Sequence, residues 1–139
     1  MSEAVRFERY TPELAAVPLA DGFFDGWPNQ PDAATHRRIL SDSYLAYVAV
    51  ADGRIIGFLN VISDGVLTAY IPLLEVVAPY RGRGIGSRLV SLALAALDDF
   101  YMVDLLCDPA VQDFYAKAGL SRAAGMCRRN YARQGGRVD

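Results

Sequence analysis

The stretch Leu73–Ser87, LLEVVAPYRGRGIGS, changes character twice within a few residues. Leu73-Leu74-Glu75-Val76-Val77 is an apolar run holding a single acid, and it reads as the end of a strand. Arg81-Gly82-Arg83-Gly84-Ile85-Gly86 is a glycine-rich turn. From there Ile85, Leu89, Leu92 and Ala96 recur at helical spacing, which predicts a helix from about Gly84 to Asp99. A strand that passes through such a turn directly into a helix makes an anion site. The first N–H groups of the helix lack partners, the helix dipole is positive at that end, and glycine lets the backbone approach a phosphate without a Cβ in the way. Arg81 and Arg83 add positive charge beside it. The turn therefore predicts a phosphate or pyrophosphate ligand.

Several readings fit such a turn. A P-loop needs Gly-Lys-Ser/Thr after the glycines, which is absent here. A dinucleotide fingerprint needs Gly-x-Gly-x-x-Gly, but Ser87 stands where the third glycine belongs. Asp104 lies at about the right distance for a ribose-binding acid, yet in mid-strand rather than at a strand end. A tight strand-to-helix turn with no ligand is the remaining simple reading.

Upstream, Val5–Tyr10 alternates Val5 and Phe7 with Arg6 and Glu8 and predicts a first strand. Thr11-Pro12-Glu13 reads as a helix entry, with Thr11 as N-cap and Pro12 in the first turn. Gly22–Asp32, GFFDGWPNQPD, reads as loop, and Ala33–Asp42 as a short helix. The runs Tyr44–Val50 and Arg54–Ile62 flank Asp52-Gly53, a hairpin signal, and Asp64-Gly65 repeats it before Leu67–Val77. Downstream, Tyr101–Cys107 reads as a mostly buried strand. Asp108–Ala118 reads as a helix closed by Gly119, and Ser121–Tyr131 as the last strand. Arg133–Asp139 reads as a loose tail. The order β, α, α, β, β, β, α, β, α, β is that of an α/β domain with antiparallel strands first and a strand–helix–strand unit later, expected to span 1–139 as one unit.

The run Val76–Gly86 resembles the acetyl-CoA signature of the GNAT superfamily of N-acetyltransferases, Arg/Gln-x-x-Gly-x-Gly/Ala after a strand, with Arg81, Gly84 and Gly86 at its fixed positions. Asp108–Leu120, DPAVQDFYAKAGL, is similar to the later element of that family. Phe114, Tyr115, Lys117 and Gly119 match it, while Asp108 replaces the usual Asn, Val111 the usual Ala and Leu120 the usual Phe. The resemblance implies a GNAT fold: a mixed, mainly antiparallel sheet of six to seven strands flanked by about four helices, splayed open near Val77 and Cys107. It implies acetyl-CoA as cosubstrate and no metal. Arg81, Gly82, Arg83, Gly84, Ile85, Gly86 and Ser87 would cradle its pyrophosphate, Val76 and Val77 would present backbone groups to the pantetheine arm, and Asp108 and Tyr115 would complete the cofactor side. The acceptor it implies is a primary amine on a small molecule or peptide. A homodimer is expected by the same resemblance, since only about twenty residues follow Gly119 to supply the family's final strands. A CoA-binding regulatory or interaction domain of this fold, without transfer, is the alternative.

The chemistry assigns roles. Amine attack on a thioester forms a tetrahedral intermediate and then expels a thiolate. A thiol has a pKa near ~8.5, and a tyrosine hydroxyl, near ~10, can donate to that leaving sulfur. By resemblance Tyr115 does so. The oxyanion needs a donor; the resemblance implies a backbone N–H freed by a bulge in the strand before the turn, by position that of Val76 or Val77, and Pro72 signals irregular pairing in the same strand. Only on the order of one lysine-like amine in a few thousand is neutral at pH 7, so a base is useful. Glu75, an acid in an apolar strand, is the leading candidate, with Asp64 and Tyr70 behind it. Trp27 and Tyr70 are the candidate acceptor-side residues. His36, beside Arg37 and Arg38, reads as an exposed helix residue, and Cys107 as a buried small hydrophobe.

The bulk numbers agree with a globular chain. It has 139 residues, 53% hydrophobic and 22% charged, with a net charge of −2. That balance does not point to nucleic acid or an anionic membrane as partner. The N-terminus lacks an apolar signal core, no run approaches the ~20 apolar residues of a membrane span, and two cysteines are a thin basis for a disulfide framework. A cytoplasmic location is expected.

Overall fold

A computed structural model describes residues 4–137. Five strands form one sheet in the order β1-β2-β3-β4-β5: β1 Arg6–Arg9, β2 Leu45–Ala51, β3 Arg54–Ser63, β4 Thr68–Val76 and β5 Met102–Asp104. The first four pair antiparallel, and β5 pairs parallel to β4. Three α-helices accompany them: α1 Ala33–Asp42, α2 Ile85–Ala96 and α3 Gln112–Lys117.

The antiparallel half follows the sequence closely. Asp52 and Gly53 both take left-handed backbone (φ 54 and 72), the pair of conformations a two-residue hairpin needs, so β2 turns directly into β3. The second turn is wider. The Asp64 carboxylate accepts the N–H groups of Val66, Leu67 and Thr68 at 2.8, 2.9 and 3.2 Å, and this local net spans the gap between β3 and β4. Strands β2 and β3 are buried along nearly their whole length. Phe58 meets His36 of α1 on one face, and α2 packs against β2, β3 and β4. Asp32 caps α1 by accepting the Thr35 N–H at 2.8 Å.

Several expectations are corrected. Among the described residues the sheet has five strands rather than six to seven, and there are three α-helices rather than about four. At Thr11-Pro12 the chain makes only a 3-10 turn, Pro12–Ala16, without a side-chain cap. Pro18 ends any helix there, and Arg37 reaches across to the carbonyls of Leu14 and Val17. Residues 121–130 form no strand or helix and are exposed throughout, with Met126 at 97% exposure.

The strand expected at Tyr101–Cys107 shrinks to three residues and is largely exposed, because among the described residues only β4 pairs with it. The tail expected from Arg133 is seated against the start of α1 and the loop before it. Asn29 donates from its backbone to Gln134 Oε1 at 3.1 Å and from its side chain to the Tyr131 carbonyl at 2.8 Å, and Gly136 lies against Thr35. Residues 138 and 139 lie outside the described residues.

Candidate active site

Pro72 shapes the site first. Asn60 pairs with Leu73 and Ile62 with Tyr70, so β4 carries one residue too many, a bulge at Ile71–Pro72. Proline cannot donate to a ladder and belongs at such an irregularity. Pairing between β4 and β5 covers only Thr68–Tyr70 and Met102–Asp104, and stops where the bulge begins. Beyond it the two strands part, and β4 continues beside β3 alone.

That parting frees backbone groups. The Val77 N–H donates to the Ile56 carbonyl at 2.9 Å. Antiparallel ladders alternate, so the N–H groups of Leu74 and Val76 point away from β3, into the gap. Of the two candidate oxyanion donors, Val77 is committed to the sheet and Val76 faces the opening. The Val76 carbonyl accepts Arg81 Nε at 2.7 Å, which folds Arg81 back over the end of β4.

After Val77 the chain makes a 3-10 turn, Ala78–Tyr80, then Arg81–Gly84, then α2. Gly82 and Gly84 have φ of 78 and 79, the left-handed region that glycine enters without penalty, and a Cβ on either would meet nothing within 4 Å. Open space therefore lies in front of both. Gly84 is the N-cap of α2 and offers no side chain, so the first-turn N–H groups receive no side-chain cap. Gly86 lies at a packing contact: a Cβ there would meet the Phe114 ring at 3.5 Å, where α2 meets α3. Arg83 donates to the Pro79 carbonyl at 3.2 Å and lies 5.0 Å over the Tyr80 ring, whose hydroxyl bonds Asp52 in the β2–β3 turn. Ser87 is exposed on the first turn of α2.

Tyr115 is half-buried on α3, edge-to-face with Phe114 at 5.0 Å. Burial raises its hydroxyl pKa above the ordinary value, and the nearby Cys107 raises it further. Gly119 (φ 106) closes α3: its N–H reaches the Ala116 carbonyl and the Leu120 N–H the Tyr115 carbonyl, a Schellman end that fixes Tyr115 on its last turn. Asp108 is exposed at the wall of an open cavity.

Glu75 faces the other side of β4, opposite Phe58. Its Oε1 accepts the Phe24 N–H at 2.7 Å. Burial pushes its carboxyl up from the usual value; the Phe24 bond and Arg81 pull against that, and Asp25 adds to it. The loop carrying Phe24 is led in by Pro18 and Ala20, which bond Ile55 of β3, and its Gly22 lies against Val77. Trp27 tilts onto Phe24 at 4.9 Å, so Trp27 and Glu75 converge on one residue. Tyr70 sits apart, half-buried where β4 and β5 still pair. Asp64 is spent as an acceptor, and its backbone bonds hold its carboxyl below the usual range, which unsuits it as a base.

Two sequence readings fail. His36 is not exposed: it shows 2% of its surface and is ringed by Phe23, Phe24 and Phe58 at 4.9, 5.0 and 4.5 Å. It stands four residues before the buried Leu40, and that spacing was the available signal. Cys107 is half-buried at the cavity wall rather than in the core. Sequence reasoning missed Phe24, whose backbone N–H holds Glu75. Its neighbours Gly22 and Gly26 marked only a loop. Among the described residues no group of three or more His, Cys, Asp or Glu side chains could hold a metal, and no helix is long and apolar enough to cross a membrane.

The family model for acetyltransferases of the GNAT family matches residues 15–120. Among solved structures, an inferred acetyltransferase from Deinococcus radiodurans R1 is 45% identical over 97% of this chain and 94% of its own, with a TM-score of 0.89. An inferred GNAT acetyltransferase from Xanthomonas campestris pv. campestris is 23% identical over 94% of this chain and 96% of its own, with a TM-score of 0.71. An aminoglycoside N-acetyltransferase solved with CoA shares the fold at 15% identity, covering 94% of this chain and 96% of its own, with a TM-score of 0.62. No curated protein matches the chain.

Proposed function

The chain belongs to the GNAT acetyltransferase family, and from that membership we propose that it carries an acetyl group from acetyl-CoA to a primary amine by direct attack on the thioester. One observation carries the reading: β4 parts from β5 after Tyr70, and the opening is faced by the Val76 N–H and bordered by the uncapped start of α2.

The residues fit the cosubstrate. Gly82 and Gly84 leave open space before a run of free backbone N–H groups, and Arg81 and Arg83 add charge. Residues 81–87 hold the pyrophosphate there, Val76 and Val77 flank the pantetheine arm, and Asp108 lines the far wall. Bound acetyl-CoA supplies an acyl group activated as a thioester. The Val76 N–H donates to the acetyl oxygen and takes up negative charge as it develops. Glu75, with a carboxyl of raised pKa, accepts the proton that the attacking amine must lose. The Tyr115 hydroxyl, its proton held more tightly than in water, donates to the leaving sulfur.

Trp27 and Tyr70 border the acceptor. Asp25 lies near enough to Glu75 to raise its pKa and adds negative charge on that side, which suits a cationic amine. A homodimer joined along the free edge of β5, and a cytoplasmic setting, belong to the same reading. Sedimentation of the full chain tests the dimer.

The first test is a thermal-shift titration. Acetyl-CoA and CoA should raise the melting temperature and NAD should not; a Gly84→Asp variant, which puts a carboxylate where the pyrophosphate would sit, should lose the shift. A response to NAD alone would overturn the assignment. A panel of amines then identifies the acceptor.

A further inference from the structure

Cys107 and Cys127 are twenty positions apart and line one open cavity of about 390 Å³, together with Asp108, Gly125 and Arg129. Neither is in a disulfide; Cys107 is half-buried and Cys127 exposed. Chain geometry brings them together. The residues that run on from β5 reach Leu106 and Cys107, and the arm leaving α3 returns past them. The arm lies so close that a Cβ at Gly125 would collide with the Leu106 side chain. Among the described residues no backbone hydrogen bond ties 121–130 to the sheet; the Arg122–Asp113 ion pair links the start of the arm to α3. The arm also links two parts of the site. Cys107, at one end, is close enough to Tyr115 to affect its hydroxyl. Past Cys127, Tyr131 and Gln134 hold Asn29, two residues from Trp27.

We propose that Cys107 and Cys127 are an oxidisable pair that closes a disulfide across this cavity, locking the arm to the end of β5 beside Tyr115. The oxidant is a peroxide. The exposed Cys127 thiolate attacks one peroxide oxygen; the O–O bond breaks, and with hydrogen peroxide the products are a sulfenic acid and water. The Cys107 thiolate then attacks the Cys127 sulfur, forming S–S and releasing the hydroxyl as a second water. Two thiols lose two protons and two electrons, and the peroxide is reduced to two waters. A dithiol reverses the step by exchange. The cross-link needs nothing from the transferase reading; its effect on turnover rests on that reading.

The experiment oxidises the reduced full chain with hydrogen peroxide and measures intact mass under denaturing, non-reducing conditions. The expected result is a monomer lighter by about 2 mass units, both thiols closed to alkylation, and a cross-linked Cys107–Cys127 peptide. Dithiothreitol should reverse it. Cys127→Ser, at an exposed position, should fold and never lose the two hydrogens, and Cys107→Ala should behave alike. Unchanged mass, added oxygen without a cross-link, or a cross-link only between two copies would each overturn the pair. In the amine assay, oxidation should slow the wild type by roughly tenfold and leave Cys127→Ser unchanged. A disulfide that forms without altering turnover would overturn the lock while leaving the transferase reading intact. Absence of turnover before oxidation would count against that reading, and the mass result would still decide the pair.

Discussion

Glu75 Oε1 accepts the backbone N–H of Phe24 at 2.7 Å, and Phe24 is held with left-handed backbone, φ 59. A non-glycine residue in that region costs about 1 kcal/mol and persists where its surroundings fix it. Here the carboxylate on one side and the rings of Trp27, His36 and Phe58 on the other do so. Glu75 thus anchors the loop that carries Phe24, and in the proposed reaction its second oxygen serves as the base.

The two roles separate by substitution. Glu75→Gln keeps an acceptor for Phe24 and loses the base. Turnover should fall by about 10²-fold, and the acid limb of kcat/KM, which in the wild type lies above the ordinary glutamate value of 4.5, should disappear. Stability at neutral pH should not suffer. A carboxyl with a raised folded pKa is ionised more readily in the unfolded chain, so stability is lost as pH rises from 4.5 to the raised folded value and stays lost above it, and Gln removes the cost. Glu75→Ala should also lower stability, by about 1–3 kcal/mol, because the Phe24 N–H loses its partner. A Gln variant with an unchanged pH–rate profile would rule Glu75 out as the base.

Tyr115→Phe should reduce turnover by about 10²-fold and leave the acetyl-CoA dissociation constant within about twofold, since the ring keeps its contact with Phe114 and only the hydroxyl is lost. The check pairs steady-state kinetics with a binding titration. Equal losses in both would make Tyr115 a binding residue and no acid.

The glycines of the turn should separate in the same way. Gly84→Ala places a Cβ at φ 79 where nothing opposes it, so the cost is backbone strain alone, about 1 kcal/mol, yet the methyl enters the space assigned to phosphate. Acetyl-CoA affinity should fall more than stability does. Gly86→Ala meets Phe114 at an ordinary 3.5 Å and has no positive φ, so it should change affinity little. If Gly86→Ala weakened acetyl-CoA more than Gly84→Ala, the phosphate would have to sit further along α2.

What the sequence made legible was local. Asp52-Gly53, the Gly84 helix start and the Gly119 end each need a backbone conformation that their residue types announce, and each lies where it was read. Pro72 announced the bulge that opens β4 from β5. What was not legible depended on residues far apart. Ser121–Tyr131 stands where the order of elements calls for a last strand, but a strand needs a partner, and composition does not show that β5 is three residues long. Glu75 stands out by its apolar neighbours; that Phe24 holds it, across 51 positions, is written nowhere in its own segment. His36 looked solvated beside Arg37 and Arg38, and only the three rings that close over it decide otherwise.

His36 supplies the last test. Its Nε2 is buried without a hydrogen-bond partner, and burial first, then Arg37, lowers its pKa from 6.5 to about 4. Above pH 6.5 the ring is neutral in both states and its full contribution to stability is present. As pH falls from 6.5 to 4 the unfolded chain takes up the proton and the folded one does not, so stability declines, by on the order of 3 kcal/mol in all. Below 4 both states are charged and this residue adds no further loss. Asp32 and Asp64 act in a different window: backbone N–H bonds lower their pKa values from 3.8, so the stability they add is lost only as pH falls below that value. His36→Phe replaces the unpartnered nitrogen with carbon in an all-aromatic setting. It should flatten the melting temperature between pH 6.5 and 4, leave the decline below 3.8 in place, and be no less stable than the wild type at pH 7. A variant that keeps the wild-type slope between pH 6.5 and 4 would mean that the unfolded chain gains its proton elsewhere and that the caged imidazole is not the acid-sensitive element of this fold.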